Sequence, residues 1–467
     1  MDNWTLASLA DAIRARKVSP VEVTGTCLER IARLDGGLKC FITVDADGAL
    51  QAARALETDA VAGRWRGPLH GVPLAYKDLC HVRGLPTSCG TRTSEYFTSE
   101  HECTAVSRLA QAGAITLGKL NMTELALGPF GDNAHHGDVQ NPWRPGHVSG
   151  GSSSGSGAAV AAGLAFGALG SDTGGSIRLP SAACGIVGIK PTYGRVSRAG
   201  VMALSWSLDH LGPMTRTVRD AAIMLGIIAG HDPRDATTSR RRVPDYAAAL
   251  EAPVKGLRVG VPENYYFDGV APEIAAGVRE GIREMERLGT SARGIRVPDP
   301  AILQGLGNVI ARSESAVIHA RLVRERPHEL QPAVRARLEV GFHISAHDYL
   351  QALRVRARLT RQFIAEVFAE VDVLVAPTIP EPASGLVEAK AGTVEEFVAR
   401  MGRFSRLTRP FNGLGLPALS VPCGFSRNGL PLALQIVGRP FDEATVLRLG
   451  HAYEQVTDWH TRRPLLD

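Results

Sequence analysis

A run of glycine and serine at residues 149–157, SGGSSSGSG, is the feature that most constrains how this chain folds. Flexible linkers of this composition have polar flanks and stay in solvent. Here the run passes directly into AAVAAGLAFGAL, an apolar segment without a polar face, which is typical of buried structure. A linker-like composition therefore meets a segment that must be buried, and the run needs a different explanation.

Composition excludes several classes of protein. The 467 residues are enough for one large α/β domain or for two or three smaller ones, and 44% of them are apolar. The net charge of +5 comes from arginines spread along the chain, so no nucleic-acid-binding face is predicted. Seven scattered cysteines without a C-x-x-C pair indicate reduced thiols and a cytoplasmic location. No secretory signal and no membrane-spanning run of about 18 apolar residues is visible.

Helical and strand patterns alternate along the chain. Residues 5–60 predict three helices, and from Gly67 onwards short apolar runs between glycine and proline are typical of strands and tight loops. The stretch TAVSRLAQAGAITLGKLNMTELALG predicts a helix, a buried strand and a second helix, and LAFGAL predicts a further strand. The segments VDVLVAPT, ALSVPCGF and LALQIVG predict three later strands. This alternation predicts an α/β fold with a largely parallel sheet.

A second cluster of glycine and serine, GSDTGGSIRLP at residues 170–180, has the composition of an oxyanion hole. It lies between a predicted strand and a short predicted helix. The consecutive glycines leave the backbone N–H groups of four residues free to converge on one point: Thr173, Gly174, Gly175 and Ser176. A serine at the end of such a turn would lie beside its own oxyanion hole.

A nucleophilic serine needs a base, because its hydroxyl is almost unreactive at neutral pH. No histidine occurs at a suggestive place in these loops. The chain has 45 arginines and only seven lysines, and one of these, Lys77, lies inside the apolar run GVPLAYKDL. Burial lowers the pKa of a lysine and makes it a base. From this residue alone, a lysine that extends to solvent and a functional lysine both stay open.

Other chemistries have no support in the sequence. The H-E-x-x-H pattern and clustered His/Cys spacings are missing, so no metal site is predicted. The phosphate-binding pattern G-x-x-x-x-G-K-[ST] is also missing. The segment 151–155 formally matches the G-x-S-x-G nucleophile elbow, but the preceding WRPGHV is a poor strand. We therefore expect neither a metal nor a cofactor.

Three motifs, in this order, resemble those of the amidase signature hydrolases: GVPLAYKDL, GGSSSGSGAAVAAG and GSDTGGSIRLPSAACGIVGIKPTYGRVSRAG. The resemblance covers nearly the whole chain and implies one large α/β domain with a mixed, mostly parallel central sheet and helices on both faces. It also implies a division into N-terminal helices (1–60), a catalytic core (65–235), a helical segment that covers the mouth of the site (270–370) and a C-terminal part of the sheet with the last helix (371–467).

The resemblance implies a Ser–Ser–Lys triad. The matching positions are Ser176 as the nucleophile, Ser152 as the bridging serine and Lys77 as the base. In the family the peptide bond before the bridging serine is cis, and Gly151 would tolerate that bond. The run at residues 149–157 is then a tight catalytic turn that leads into a buried helix.

Three further residues are expected to have supporting roles, and two of them, Asp172 and Arg178, match family positions. Asp172 and Arg178 flank the nucleophile and are expected to form an ion pair that braces the loop. Ser153 is expected to support the turn by hydrogen bonding. None of the three is expected to take part in the chemistry itself.

Two branches of the family differ in function. One comprises free-standing hydrolases, which often form homodimers, and the resemblance therefore implies a homodimer for this chain. The other is the A subunit of the tRNA-dependent amidotransferase, a glutaminase that works with partner subunits. Ser405 stands where the amidotransferase has an acidic residue, which favours a free-standing amidase, although the core motifs fit both branches. An inactive member of the family is a third alternative, and the intact triad speaks against it.

The substrate pocket is expected from loops that line it in relatives. The candidates here are Met122, Leu127, Gly128, Pro129, Phe130, Trp206 and, in the helical segment, Phe342. These residues are mostly apolar and favour a small aryl or alkyl amide, with esters or carbamates as further substrates. Each of them could equally belong to the core.

Overall fold

The computed structural model describes residues 4–93 and 97–466. Its α-helices are α1 Leu6–Arg14, α2 Pro20–Leu38, α3 Ala46–Val61, α4 Thr104–Gln111, α5 Ser154–Ala161, α6 Arg178–Cys184, α7 Val218–Ile228, α8 Tyr246–Ala249, α9 Pro272–Arg287, α10 Pro300–Ile318, α11 Ala320–Glu325, α12 Pro332–Glu339, α13 Ala346–Glu370, α14 Leu386–Lys390, α15 Val394–Phe404, α16 Arg409–Gly413 and α17 Glu443–Gln455. Its strands are β1 Phe41–Val44, β2 Pro73–Lys77, β3 Pro86–Thr87, β4 Phe97–Thr98, β5 Ile115–Leu120, β6 Gly167–Asp172, β7 Val187–Lys190, β8 His210–Thr215, β9 Arg258–Pro262, β10 Ser291–Ile295, β11 Val373–Pro377, β12 Ala418–Phe425 and β13 Pro431–Gly438.

Eleven of the strands form one mixed sheet in the order β1-β5-β2-β6-β8-β7-β12-β13-β11-β9-β10. Parallel pairing occurs in two stretches, β5-β2-β6 and β11-β9-β10. The strands between these stretches pair antiparallel, as does β1 with β5. The mixed α/β sheet is confirmed, and the parallel pairing expected from the sequence is concentrated in these two stretches.

Helices cover both faces of the sheet. Successive side chains of a strand point to opposite faces. Every residue of β2, β6, β8, β11 and β13 is nevertheless buried, so neither face is open to solvent. This explains why these strands appear in the sequence as unbroken apolar or small-residue runs and not as alternating patterns.

The N-terminal region forms the three expected helices, with strand β1 between α2 and α3. Helix α2 begins at Pro20, whose missing N–H group is harmless in the first turn of a helix. Ser19 caps it by accepting hydrogen bonds from the backbone N–H groups of Val21 and Glu22.

Two local expectations are wrong. The strand expected at LAFGAL lies three residues further on, so β6 extends to Asp172. The helix expected after β5 does not form. Leu125 and Ala126 have positive φ angles, and only the short 3-10 helix Glu124–Ala126 is present. Long-range hydrogen bonds explain this, because the N–H of Thr123 donates to Ser152 and that of Leu125 donates to Cys89.

The segment 270–370 contains α9 to α13 and also β10, the last strand of the sheet. Its long helices α10 and α13 pack against each other. All seven cysteines are unpaired and buried. Among the residues that the structure describes, no helix combines the length and apolarity needed to cross a bilayer.

Candidate active site

The candidate site lies where two neighbouring strands end. β2 and β6 run parallel, with Ala75 opposite Ala168 and Tyr76 opposite Leu169. The carboxyl ends of parallel strands lie at the same edge of a sheet, which is where α/β proteins place ligands. Lys77, the last residue of β2, therefore lies beside Ser171 near the end of β6.

Lys77 is fully buried and contacts two serines. Its Nζ lies 2.8 Å from Ser152 Oγ and 2.9 Å from Ser171 Oγ. Burial lowers the pKa of Lys77 to about 7, because the uncharged amine is favoured where water is excluded. An amine with this pKa is partly neutral at physiological pH and can accept a proton from a neighbouring hydroxyl.

The run at residues 149–157 forms a turn that packs tightly inside the protein. The peptide bond between Gly151 and Ser152 is cis. A Cβ atom on Gly151 would lie 2.7 Å from the carbonyl oxygen of Gly128, so no larger residue fits there. The turn leads into α5, whose eight residues are all buried. Its composition reflects close packing and not flexibility.

The turn is joined by hydrogen bonds to the loop that carries Ser176. The backbone N–H of Ser153 donates to the carbonyl of Ser176 over 3.3 Å. The Oγ of Ser153 donates to the carbonyl of Ser171 and accepts from its N–H group, both at 3.2 Å. Ser153 thus has the supporting contacts expected of it, and it places Ser152 next to the Ser176 loop.

The proposed oxyanion loop differs from the expectation at one residue. The N–H of Gly175 donates to Asp172 Oδ1 over 2.7 Å, so this group is not free to bind an oxyanion. The N–H groups of Thr173, Gly174 and Ser176 make no such bond among the described residues. Gly175 is required for a different reason. Its φ is +130°, and a Cβ atom would lie 2.2 Å from Thr408 Oγ1.

Asp172 and Arg178 form the expected ion pair. Nε and Nη2 of Arg178 donate to the two carboxylate oxygens of Asp172 at 3.0 and 3.1 Å, and both side chains are fully buried. Asn412 Nδ2 also donates to Asp172, over 2.8 Å. Burial raises the pKa of Asp172, but the positive charge and hydrogen bonds of Arg178 outweigh burial and hold this pKa well below its usual range. The pair fixes the loop on both sides of Ser176.

Ser176 is partly exposed and lines a cavity of about 100 Å³. Of the expected pocket residues, Leu127, Gly128 and Pro129 line this cavity. The other four do not line it. Met122 is fully buried, Phe130 packs against Phe397 and Phe404, Trp206 lines a second cavity, and Phe342 lies at the surface beneath Arg324.

The sequence reasoning missed two groups of residues. One is Ser171, the second contact of Lys77. It stands in the quoted GSDTGGS motif, and its place in that motif was the available signal. Three arginines also line the cavity: Arg312 from α10, Arg337 from α12 and Arg409 from α16. No local motif marks these arginines in a chain that contains 45 of them.

A buried lysine–serine pair beside a partly exposed serine is an arrangement that can activate a serine for attack on a carbonyl group. Comparison with known proteins agrees with this class of chemistry. The sequence profile of the family described as Amidase matches residues 22–447. The chain belongs to the amidase family, whose members act as hydrolases on amide C–N bonds.

Individual relatives fall into both branches of the family. An amidase of Pseudomonas putida is 44% identical over 467 residues, covering 99% of this chain and 98% of that protein. The A subunit of the glutamyl-tRNA(Gln) amidotransferase of Nitrosococcus oceani is 41% identical over 487 residues, covering 99% of each. The solved structure of native peptide amidase from Stenotrophomonas maltophilia has a TM-score of 0.84 and 31% identity, covering 98% of each chain.

Proposed function

We propose that this protein is a free-standing amidase that hydrolyses a small carboxylic amide through an acyl-enzyme on Ser176. The observation that carries the proposal is the buried Lys77 at 2.8 Å from Ser152, with Ser176 lining the adjoining cavity. Ser152 is fully buried and in contact with the base, whereas Ser176 reaches the cavity. This supports Ser152 as the bridge and Ser176 as the nucleophile.

The reaction uses one proton relay in both directions. Ser176 gives its hydroxyl proton to Ser152, Ser152 gives its own to neutral Lys77, and Ser176 Oγ forms a bond to the amide carbon. The N–H groups of Thr173, Gly174 and Ser176 bind the developing oxyanion. The relay then returns the proton to the amide nitrogen as the C–N bond breaks. Water, deprotonated by the same relay, cleaves the acyl-enzyme.

The lining of the cavity supports part of the expected specificity. Leu127, Leu204, Leu208, Val398 and Met401 form an apolar wall, as an alkyl or aryl amide requires. The cavity volume of about 100 Å³ favours a small substrate. Esters and carbamates with the same dimensions are further candidate substrates.

The alternative function is that of the amidotransferase A subunit, whose name several relatives at 40–42% identity carry. Glutamine brings an ammonium group that needs an acidic partner. Ser405, at the position where the amidotransferase is expected to have an acidic residue, lines the cavity. No aspartate or glutamate is among the described residues that line this cavity. This favours the free-standing amidase.

The deciding experiment measures ammonia or amine release by the purified chain alone. The panel contains acetamide, aryl acetamides, anilides, carbamates and glutamine, with the Ser176→Ala variant as the blank. Release from any of these amides without added subunits supports the proposal. Turnover of glutamine alone, and only after candidate partner subunits are added, would instead support the amidotransferase. A homodimer and a cytoplasmic location stay predictions from the sequence.

The activity should fall on the acid side of about pH 7. Burial lowers the pKa of Lys77 to about 7, and the protonated lysine cannot accept the proton of Ser152. Well below this pKa, the neutral fraction and therefore kcat/KM fall about tenfold for each pH unit. Initial rates between pH 5 and 9 give the profile, and circular dichroism at each pH checks that the protein stays folded. A flat profile in folded protein would contradict the assignment of Lys77 as the base.

A further inference from the structure

The cavity above Ser176 contains three positively charged side chains from three separate helices. Arg312 comes from α10, Arg337 from α12 and Arg409, the first residue of its helix, from α16. They are brought together only by the tertiary fold. Part of the cavity lining is therefore basic, which the apolar specificity expected from the sequence does not explain.

In the part of the chain that the structure describes, these three arginines lack an acidic partner. Within residues 4–93 and 97–466, no aspartate or glutamate oxygen lies within 4 Å of them. Arg409 donates to Ser405 Oγ at 2.7 Å and to Asn308 Oδ1 at 2.6 Å, and Arg337 contacts Met401 Sδ at 3.5 Å. Elsewhere the chain pairs its most buried arginines with carboxylates.

Those paired arginines show what the cavity lacks. Arg178 binds Asp172 at 3.0 Å, and Arg195 lies 3.4 Å from Glu443. A charge withdrawn from water is unfavourable unless an opposite charge accompanies it. The three cavity arginines are only partly buried, and guanidinium groups that line one cavity without an internal carboxylate are suited to bind an anion from solution.

The electrostatics of the cluster support this interpretation. Burial, and then repulsion from Arg409 and Arg312, lower the pKa of Arg337 to about 9. Burial and then Arg312 lower the pKa of Arg409 to about 10. The carboxylate that acts on Arg337 from a distance is Asp132, but Asp132 lines a different cavity. The three positive charges repel one another, and a bound anion would relieve this repulsion.

The cluster also lies close to the reacting centre. A Cβ atom on Gly174 would be 3.5 Å from Arg409 Cγ and 3.7 Å from Arg409 Cζ, so this guanidinium packs over the oxyanion loop. Arginine is also the side chain best suited to bind a carboxylate with two parallel hydrogen bonds. A small molecule could therefore present its amide to Ser176 and its charged end to the arginines.

We propose that the substrate is a small amide that also carries a carboxylate, bound by Arg312, Arg337 and Arg409, and that carries no ammonium group. This inference rests on the proposed amidase function and narrows its substrate class. Because no acidic side chain is among the described residues that line the cavity, an ammonium group would meet three positive charges without a partner. Glutaramate, which is glutamine without its amino group, has the required combination of charges.

The test compares kcat/KM for three matched amides. Glutaramate and glutamine share the carboxylate and differ in the ammonium group, whereas glutaramate and valeramide share the neutral amide and differ in the carboxylate. We expect glutaramate to exceed each of the others by about 30-fold or more, as paired charges at buried sites commonly do. An N-acetyl amino acid, with its carboxylate on the amine side of the scissile bond, shows which side the arginines recognise.

Variants identify the residues responsible. Arg312→Gln and Arg409→Gln should each reduce the ratio of glutaramate to valeramide turnover by about tenfold or more, and Arg409→Lys should restore part of it. Arg403→Gln, which removes an exposed arginine outside the cavity, should leave the ratio unchanged. Thermal unfolding of each variant checks that the fold is intact. Equal turnover of valeramide and glutaramate by the wild type would overturn the proposal and leave the amidase function standing.

A binding measurement keeps the two proposals separate. Calorimetric titration of the Ser176→Ala protein with glutarate needs no catalysis. Glutarate should bind to the Ser176→Ala protein, and this binding should be lost when Arg312→Gln or Arg409→Gln is added to it. That result supports the anion site even if no amide of the panel is hydrolysed. Failure of glutarate to bind to folded Ser176→Ala protein, when the wild type hydrolyses neutral amides, would overturn the anion site.

Discussion

Replacement of Ser176 by alanine is expected to lower amide hydrolysis by about 10⁴-fold or more while leaving the protein folded. Removal of a catalytic nucleophile has effects of this order or larger in serine hydrolases. Ser176 is partly exposed at the cavity, so loss of its hydroxyl leaves no buried group unpaired. Product release at saturating substrate measures the effect, and thermal unfolding measures stability.

The other members of the relay should show related losses. Lys77→Ala removes the base and should match Ser176→Ala. Ser152→Ala should be severe but less complete, since a water molecule can bridge Lys77 and Ser176. Lys77→Ala leaves a cavity, yet it also removes an amine whose charged form is disfavoured by burial, and these effects on the free energy of unfolding oppose each other.

Ser156→Ala is the matched control for these variants. Ser156 belongs to the same glycine–serine run, but its Oγ donates to the carbonyl of Leu169 and contacts neither Lys77 nor Ser176. It should keep nearly full activity. Full activity in Ser176→Ala or in Lys77→Ala, after repurification to exclude contaminating enzyme, would refute the triad.

Sequence reasoning works here where a signal is local and contiguous. Lys77 stands out because a charge inside an apolar run needs a reason. Most of the expected site residues were predicted from the resemblance of three ordered motifs to those of the amidase signature hydrolases. In the structure, Lys77 and Ser152 are in contact although they are 75 residues apart.

The reasoning fails where distant parts of the chain override local preference. The segment after β5 has a helical pattern, but the backbone N–H of Leu125 bonds to Cys89 instead of continuing a helix. The Gly175 N–H looked free in the sequence, yet Asp172 turns back to accept it. The cluster of Arg312, Arg337 and Arg409 depends on how three helices pack, which no spacing in the sequence reveals.

Replacement of Asp172 by alanine is expected to destabilise the protein by roughly 3–5 kcal/mol, the range for a broken buried ion pair. The carboxylate accepts hydrogen bonds from Arg178, from Asn412 and from the backbone N–H groups of Gly175 and Ile177. Without it, Arg178 keeps a full charge with no exposed surface. Urea unfolding of the variant and the wild type measures the difference.

A control and a double variant separate loss of the ion pair from loss of a side chain. Asp59 pairs with Arg64 and Arg66 at the surface, where solvent screens the charges, so Asp59→Ala should hardly change stability. Arg178→Met combined with Asp172→Ala removes both charges, and it should be less destabilised than Asp172→Ala alone because no unpaired charge stays buried. If the double variant were instead destabilised by the sum of the single changes, the two residues would act independently. Activity should remain low in both Asp172 variants, since the Gly175 N–H has lost the acceptor that holds the Ser176 loop in shape.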